Sequence, residues 1–520
     1  MEKPLKKIIP RKYQEEIVKT CIEKNCLVVL PTGLGKTLIA LMLAIKRIEK
    51  YPKEKILFLA PTKPLVEQHL QFFKKSLPEL WAEINLFTGS VKKEKRKEIW
   101  KTANIIFSTP QCVANDLKKK IYDLKNVSLL IEDEAHRCVK NYDYTFVANT
   151  YSKQAKNKRI LGLTASPGSE YKKIKEIAKN LSIEGVEIRT RDSPDVKEYL
   201  QELEFEKKEV SLPKELIEIR EILKKIYSNY VSELRMRKFL FGQDNKISLI
   251  QLQNKLGLQV SRNIASPESY LAMSLCAQAI KVSHAIELLE TQTLESFFKY
   301  LKNLKEQAEK KQSRGVVRLV NSKEFNFVFS STNFFLEKGK EHPKLKEIIR
   351  TIRDEFKKEK KFKALVFTQF RDTATIISRN LNKLSKINSK IFVGQTKKGG
   401  SGLSQKEQKR IIEEFRNGET NVLIATSIGE EGLDIPEVST VIFYEPVSSA
   451  IRSIQRRGRT ARLSKGKLII LITKETKDEY SYYASRSREK KMQKEIIKIK
   501  DELKRKGNLK DKIDTQKKLF

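Results

Sequence analysis

An α/β protein with two parallel-sheet domains and a mainly α-helical domain inserted between them is the fold this sequence predicts, on three observations. Short runs that are apolar throughout recur between residues 26 and 164 and again between 364 and 473, as strands buried on both faces of a parallel sheet require. Amphipathic stretches such as KTLIALMLAIKRIEK and KPLVEQHLQFFKKSL separate the early runs, which makes a βα repeat. Between the two sets, over 206–340, apolar residues recur at helical spacing and strand-like runs are scarce.

In chain order, the first domain (1–205) holds CLVVL (26–30), ILFLA (56–60), NIIFST (104–109), VSLLIED (127–133) and ILGLT (160–164). The insertion (206–340) runs from PKELIEIREILKKIYSNYVSELRMRKFL to SHAIELLETQTLESFFKYLKNLKEQAEK, and its segment 313–335 reads equally as helix or strand. The second domain (341–480) holds ALVFT (364–368), SKIFVG (389–394), NVLIAT (421–426), STVIFYE (439–445) and KLIILIT (467–473). From 481 to 520 the composition turns polar and basic, which predicts a charged helix or a loose tail.

The 520 residues suit roughly two to four domains. No window of about 20 apolar residues marks a membrane span. The basic start MEKPLKKIIPRKYQ lacks the apolar core of a signal peptide. An intracellular, cytoplasmic location is therefore expected, associated with the nucleoid if the source is archaeal. Cys21, Cys26, Cys112, Cys138 and Cys276 show no zinc spacing, and their odd count argues against a disulfide framework. Lysine and arginine number 105 against 65 acidic residues, a net charge of +40. A lysine-rich thermophile surface would raise Lys and Glu together, whereas here the basic side far outruns the acidic, which favours a nucleic-acid partner.

The stretch VVLPTGLGKT (28–37) poses the first chemical question. A phosphate loop asks for Gly, four residues, then Gly-Lys-Ser/Thr; Gly35, Lys36 and Thr37 fit, but Leu30 stands where the first Gly belongs. The strand–loop–helix context supports the loop, with Pro31, Thr32, Gly33, Leu34 and Gly35 as the cradle at a helix N-terminus. Lys36 suits the β- and γ-phosphates of ATP, and the Thr37 hydroxyl suits Mg²⁺. The strand VSLLIED ends in Asp133-Glu134-Ala135-His136. Asp133 there suits the second Mg²⁺ contact and Glu134 the activation of the attacking water. The His-Glu-x-x-His of a metalloprotease is absent.

Other strand ends carry small hydroxyl residues and helix starts: Thr62 and Lys63, Thr88 and Gly89, Thr109 and Pro110. These suit contacts to a nucleic-acid backbone. The second domain has no phosphate loop; it carries ATSIGEEGLDIPEV (425–438) and QRRGRTARL (455–463). Arg459 and Arg462 read as arginine fingers that stabilise charge on the transferring phosphoryl group. A site closed between two domains would couple hydrolysis to domain motion.

Taken in order, PRKYQ, PTGLGKT, APTKPLVEQ, TG, STPQ, DEAH, TAS, VFTQF, ATSIGEEGLDIPEV and QRRGRTAR resemble the motifs of superfamily 2 DEAH-type helicases, over about residues 8–480. The resemblance implies two RecA-like domains and tolerates Leu30, because this superfamily often opens the loop with a residue other than Gly. It implies that Arg11 and Gln14 read the adenine, Asp434 the ribose and Gln455 the γ-phosphate region. It assigns His136, Thr164 and Ser166 to coupling between the nucleotide site and the second domain, and adds Phe370, Arg371, Gln395 and Thr426 to the nucleic-acid contacts. LPTGLGKTLIA, GLTASPGS, FVGQ, GLSQKEQ and YEPVSSAIRSIQRRGRTAR are similar, more narrowly, to the archaeal Hef helicases and the Fanconi anaemia M group. That likeness implies a thumb-like insertion gripping branched or double-stranded DNA, and ATP-dependent remodelling of stalled forks and junctions in DNA repair and replication restart.

Two departures from the group stand out. The Glu-Arg-Lys-x-x-x-Asp nuclease motif of fused archaeal members is absent, so a nuclease would act as a separate partner. Ala461 replaces the commoner Gly in the last motif. Two other functions compete: a duplex-RNA helicase of the innate-immune sensor or Dicer type, and a catalytically silent adaptor. The adaptor reading draws on the ending TQKKLF, whose Gln516, Leu519 and Phe520 resemble part of a sliding-clamp binding peptide. His69, His284 and His342 show no ligand partners in sequence and read as structural or surface residues, and the segment from Arg488 as a solvated face or a set of nonspecific phosphate contacts.

Overall fold

The chain forms two parallel sheets because its apolar runs are too short for helices and are wanted on both faces. The computed structural model describes residues 8–517 except 79–80, 90, 360–361, 395–401, 427–434 and 461–464, with side chains through residue 505. The first sheet comprises β1 (Cys26–Val29), β2 (Lys55–Leu59), β3 (Ile84–Phe87), β4 (Ile105–Ser108), β5 (Val127–Asp133), β6 (Ile160–Thr164) and β7 (Gly185–Ile188). Their order is β3-β4-β2-β5-β6-β1-β7, and every pairing is parallel. β1, β4, β5 and β6 are buried at every residue. Intervening helices cover both faces, so each strand meets two apolar layers and alternation disappears.

The second sheet holds β8 (Leu203–Val210), β9 (Ala364–Phe367), β10 (Ser389–Phe392), β11 (Val422–Ala425), β12 (Thr440–Phe443) and β13 (Gly466–Thr473). Its order is β10-β11-β9-β12-β13-β8, again parallel throughout. β8 corrects the sequence reading. It precedes the insertion yet pairs with β13 in the second domain, so the boundary drawn at 205/206 falls inside a strand. Its sequence LEFEKKEV is mostly charged because it is an edge strand with only exposed and half-buried positions. A search for runs apolar throughout passes over such a strand, as it does over the edge strands β3 and β7.

The insertion is helical, comprising Lys214–Met236, Lys246–Ser261, Pro267–Thr291, Leu294–Glu309, Arg314–Val320 and Lys323–Glu337. The ambiguous segment 313–335 thus forms helices. Ser322 marks the start of one, its hydroxyl accepting from Phe325 N–H. A buried polar junction ties the insertion to the second domain. Lys344 Nζ, fully buried, donates to Tyr444 O (2.9 Å) and to Asp478 Oδ2 (2.6 Å). The Thr373 hydroxyl donates to Gln292 Oε1 (2.8 Å), and Glu445 accepts from Thr368 Oγ1 (3.2 Å) and from Gln369 N–H.

The last helix, Lys477–Lys517, replaces the loose-tail alternative. It leaves the second domain and packs back onto the first, where Met492, Ile496 and Ile499 join the core cluster around Leu27, Ile174 and Ile177. Glu489 pairs with Arg457 of the second domain (2.6 Å), and the Tyr171 hydroxyl of the first donates to Glu502 (2.8 Å). The described part of the segment beyond Arg488 therefore packs onto the folded core of the first domain rather than being a purely solvated face. Gln516, Leu519 and Phe520 of the clamp-like ending lie outside the described side chains.

Candidate active site

Leu30 answers the question its sequence raised. It directly follows β1, its side chain is fully buried in the core, and its N–H donates to Thr164 O (3.0 Å). Only its carbonyl faces the loop, where it accepts from Lys36 Nζ (2.8 Å). Turning is left to Gly33 (φ 87°) and Gly35 (φ 78°), a backbone region costly for other residues. Gly35 caps the helix Lys36–Lys50, and a Cβ there would overlap Gln14 Nε2. Gln14 Nε2 (3.1 Å) and the Tyr13 hydroxyl (2.8 Å) both donate to Leu34 O. The helix bearing Gln14 is thereby fastened to the loop, and Gln14 Oε1 accepts from Arg11 N–H (2.9 Å). Pro31 and Thr32 complete the turn.

At the end of β5, Asp133 and Glu134 are both buried. Burial alone would raise the Asp133 carboxyl, but the hydrogen bond it accepts from His69, with the nearby charge of Lys36, brings it below the usual range. Glu132 before it is fully buried, and there burial pushes the carboxyl well above its ordinary range. Glu134 adopts a left-handed backbone (φ 53°, ψ 45°) that opens the short turn Ala135–Arg137. His136 Nδ1 lies 3.2 Å from both Glu134 Oε2 and Thr164 Oγ1. Thr164 Oγ1 accepts from Ser166 N–H (3.1 Å), and the Ser166 hydroxyl donates to Met492 Sδ (2.7 Å). A polar chain thus leads from Glu134 to the last helix, which sequence reasoning had left out.

His69 is the principal correction. Far from lacking partners, it stands between Thr37 Oγ1 (3.2 Å from Nδ1) and Asp133 Oδ2 (2.8 Å from Nε2). The only sequence signal was a lone histidine on a helical face shared with Val66, Leu70 and Phe73. Thr37 and Asp133 are the oxygen donors that could hold a divalent cation beside a triphosphate. Among the described residues no cluster of three or more His, Cys, Asp or Glu is arranged for a metal.

The second domain reaches this site through the end of the helix Ala450–Arg457. Gly458 lies so close to the loop that a Cβ on it would overlap Thr32 Oγ1. Gln455 and Arg459 beside it are buried, and Arg459 O accepts from Val438 N–H (3.3 Å). Arg456 is fully buried, its guanidinium 4.9 Å above the Phe367 ring. Asp434, Ala461, Arg462 and Gln395 lie outside the described residues.

The nucleic-acid candidates fall at the carboxyl ends of other strands. Thr62 and Lys63 follow β2, Thr88 and Gly89 follow β3, and Thr109 and Pro110 follow β4, three neighbouring strands. Phe370 and Arg371 follow β9, and Thr426 follows the adjacent β11. In the first sheet these strands lie on the side separated from β1 and its loop by β5 and β6. Arg371 donates to Gly394 O (3.2 Å). Phe370 differs, because its ring packs against His284 of the insertion, with centroids 5.7 Å apart. All five cysteines are free and buried, and no helix among the described residues is long and apolar enough to cross a membrane.

Three family models match the chain: DEAD/DEAH box helicase over 11–174, putative ATP-dependent RNA helicase helical bundle over 215–332, and helicase conserved C-terminal domain over 343–464. The crystal structure of the Hef helicase domain of Pyrococcus furiosus is 42% identical, with a TM-score of 0.70, over 92% of this chain and 98% of that one. A putative ATP-dependent RNA helicase of Methanocaldococcus jannaschii is 37% identical over 95% of this chain, and the ATP-dependent DNA helicase fml1 of Schizosaccharomyces pombe is 32% identical over 94%. The Fanconi anemia group M protein homolog of Mus musculus is 33% identical over 94% of this chain. The chain spans 62%, 60% and 26% of the lengths of these three relatives.

Proposed function

The chain belongs to the DEAD/DEAH-box helicases, in the group of the Hef helicase domain, and from that premise we propose that it is an ATP-dependent DNA helicase or translocase acting on branched DNA. One observation carries the motor reading: Gly458 of the second domain sits directly on Thr32 of the nucleotide loop. Hydrolysis in such a cleft changes the contact between two domains, which is how a nucleotide drives motion along a strand.

In this reading the N–H groups from Gly33 to Thr37 cradle the phosphates, and Lys36 leaves Leu30 O for the β- and γ-phosphates. Glu134 takes the proton of the attacking water. Arg459 and Arg462 meet charge developing on the γ-phosphoryl group, with Gln455 beside them. Arg11 and Gln14 hold the adenine and Asp434 the ribose. His136, Thr164 and Ser166 relay the state of Glu134 toward the second domain. A hydroxyl and one buried carboxylate held ionised fit Mg²⁺, which takes few protein ligands and completes its shell with phosphates and water. When bound, Mg²⁺ would neutralise charge between the β- and γ-phosphates. Thr62, Lys63, Thr88, Gly89, Thr109, Pro110, Arg371, Gln395 and Thr426 form the track for one DNA strand, with Phe370 at its junction with the insertion.

The test is ATPase activity with single-stranded, duplex, forked and four-way DNA and with duplex RNA. Forked or four-way DNA is expected to stimulate most, with Lys36→Ala and Glu134→Gln losing about 10²–10⁴-fold. Equal rates with and without nucleic acid would refute the motor. A specific observation favours a second reading: the helical-bundle model and one relative carry RNA helicase in their names. Stronger stimulation by duplex RNA than by forked DNA would establish it instead.

A further inference from the structure

Thr37 and Asp133 come from different elements, yet both touch one side chain. His69 Nδ1 stands 3.2 Å from Thr37 Oγ1, and its Nε2 stands 2.8 Å from Asp133 Oδ2. We propose that His69 is a positioning residue for the divalent metal: it holds the hydroxyl and the carboxylate in the arrangement the cation needs, without touching the cation itself. The inference rests on the reading of Thr37 and Asp133 as the metal's protein ligands.

The two contacts impose a direction on the hydrogen bonds. An ionised carboxylate only accepts, so Nε2 donates to Asp133. In the neutral ring Nδ1 then carries the lone pair and accepts the Thr37 hydroxyl proton. With that proton turned toward the ring, the oxygen lone pairs of Thr37 are left for a cation. Both ring nitrogens are committed, so His69 supports the ligands and is not one of them.

The ring is also fixed in place. It is 6% exposed, lies 4.7 Å from the Phe58 ring, and projects from the helix Lys63–Ser76 on the face that buries Val66, Leu70 and Phe73. Thr37 sits in the first turn of the helix after the loop and Asp133 at the tip of β5. Without a bridge, each side chain would be free to choose its own rotamer. Partners of this kind, one step removed from a metal, are worth about 10–100-fold in metal affinity.

The experiment titrates Mg²⁺ into the full chain with a fluorescent, non-hydrolysable ATP analogue and reads bound nucleotide by anisotropy. His69→Ala is expected to raise the Mg²⁺ concentration at half-effect by about 10–100-fold, with analogue binding in EDTA unchanged. His69→Gln is expected to restore most of the effect, because one amide can accept from Thr37 and donate to Asp133. A core-filling histidine would instead weaken binding in EDTA as much as in Mg²⁺. Asp133→Asn separates the two layers of the argument. If it shifts the Mg²⁺ midpoint while His69→Ala does not, the role of His69 is overturned and the metal site stands. If Asp133→Asn shifts nothing, the metal-site reading falls, and the proposal with it.

Discussion

Gly458 shows how much one missing side chain decides. Its α-carbon closes on Thr32 so tightly that no Cβ fits. Gly458→Ala should therefore hold the two domains apart. Overpacking costs about 1–3 kcal/mol, which lowers the closed population, and with it DNA-stimulated ATPase, by roughly tenfold or more. Thr32→Ala in the same chain should return part of the rate, and steady-state ATPase of the single and double variants checks this. Residues of this kind differ in how they announce themselves. The roles proposed for Lys36, Thr37, Asp133 and Glu134 could be read from sequence because phosphate chemistry demands those types at fixed spacing beside a strand. Those of Gly458 and His69 could not, because they lie in what these residues meet across about 426 and 64 positions of chain, and no local pattern encodes that.

At the scale of elements, the last helix changes most between sequence and structure. Its basic exterior reads as solvated tail, and that face is indeed exposed at Arg486, Lys490, Lys491 and Lys494. The opposite stripe of Met492, Ile496 and Ile499 completes the core of the first domain. Ile496→Ala is expected to cost about 2–5 kcal/mol and to lower the unfolding midpoint of the first domain, as followed by calorimetry. A wild-type melting profile would show the helix to be detachable. β8 carries the same lesson. Its charged residues hide it from a search for apolar runs, and nothing local says that a strand written before the insertion pairs with one written after it. The fully buried central strands were legible because burial on both faces removes polar residues altogether.

Over the whole molecule, the junction of insertion, second domain and last helix holds charge in the interior. Glu445 lies at its centre, facing Thr368, Gln369, Gln292, Arg456, Lys344 and Asp478. Burial, only partly offset by Lys344 and Arg456, lifts its carboxyl from 4.5 to about 7. The folded state then holds a proton there that the unfolded chain releases. Glu445 therefore favours folding below pH 4.5, and this contribution is lost as pH rises toward about 7. Glu445→Gln, neutral at every pH, should flatten that part of the profile by about 3 kcal/mol. Denaturant midpoints of both proteins between pH 4.5 and 8 check it, and parallel profiles would show that Glu445 does not titrate in this window.

The sequence by itself determined the two α/β halves, the helical insertion and the membership of the nucleotide loop, because periodicity and spacing are local consequences of backbone geometry and phosphate chemistry. It also carries the surplus of 40 positive charges from which a polyanion partner is expected. Only the tertiary structure decided that β8 belongs to the far sheet, that the last helix straps the two domains, and that Gly458 and His69 meet the nucleotide loop. Each of those is a contact between segments distant in the chain. Its free energy depends on shape and burial at the meeting point, which neither segment carries alone.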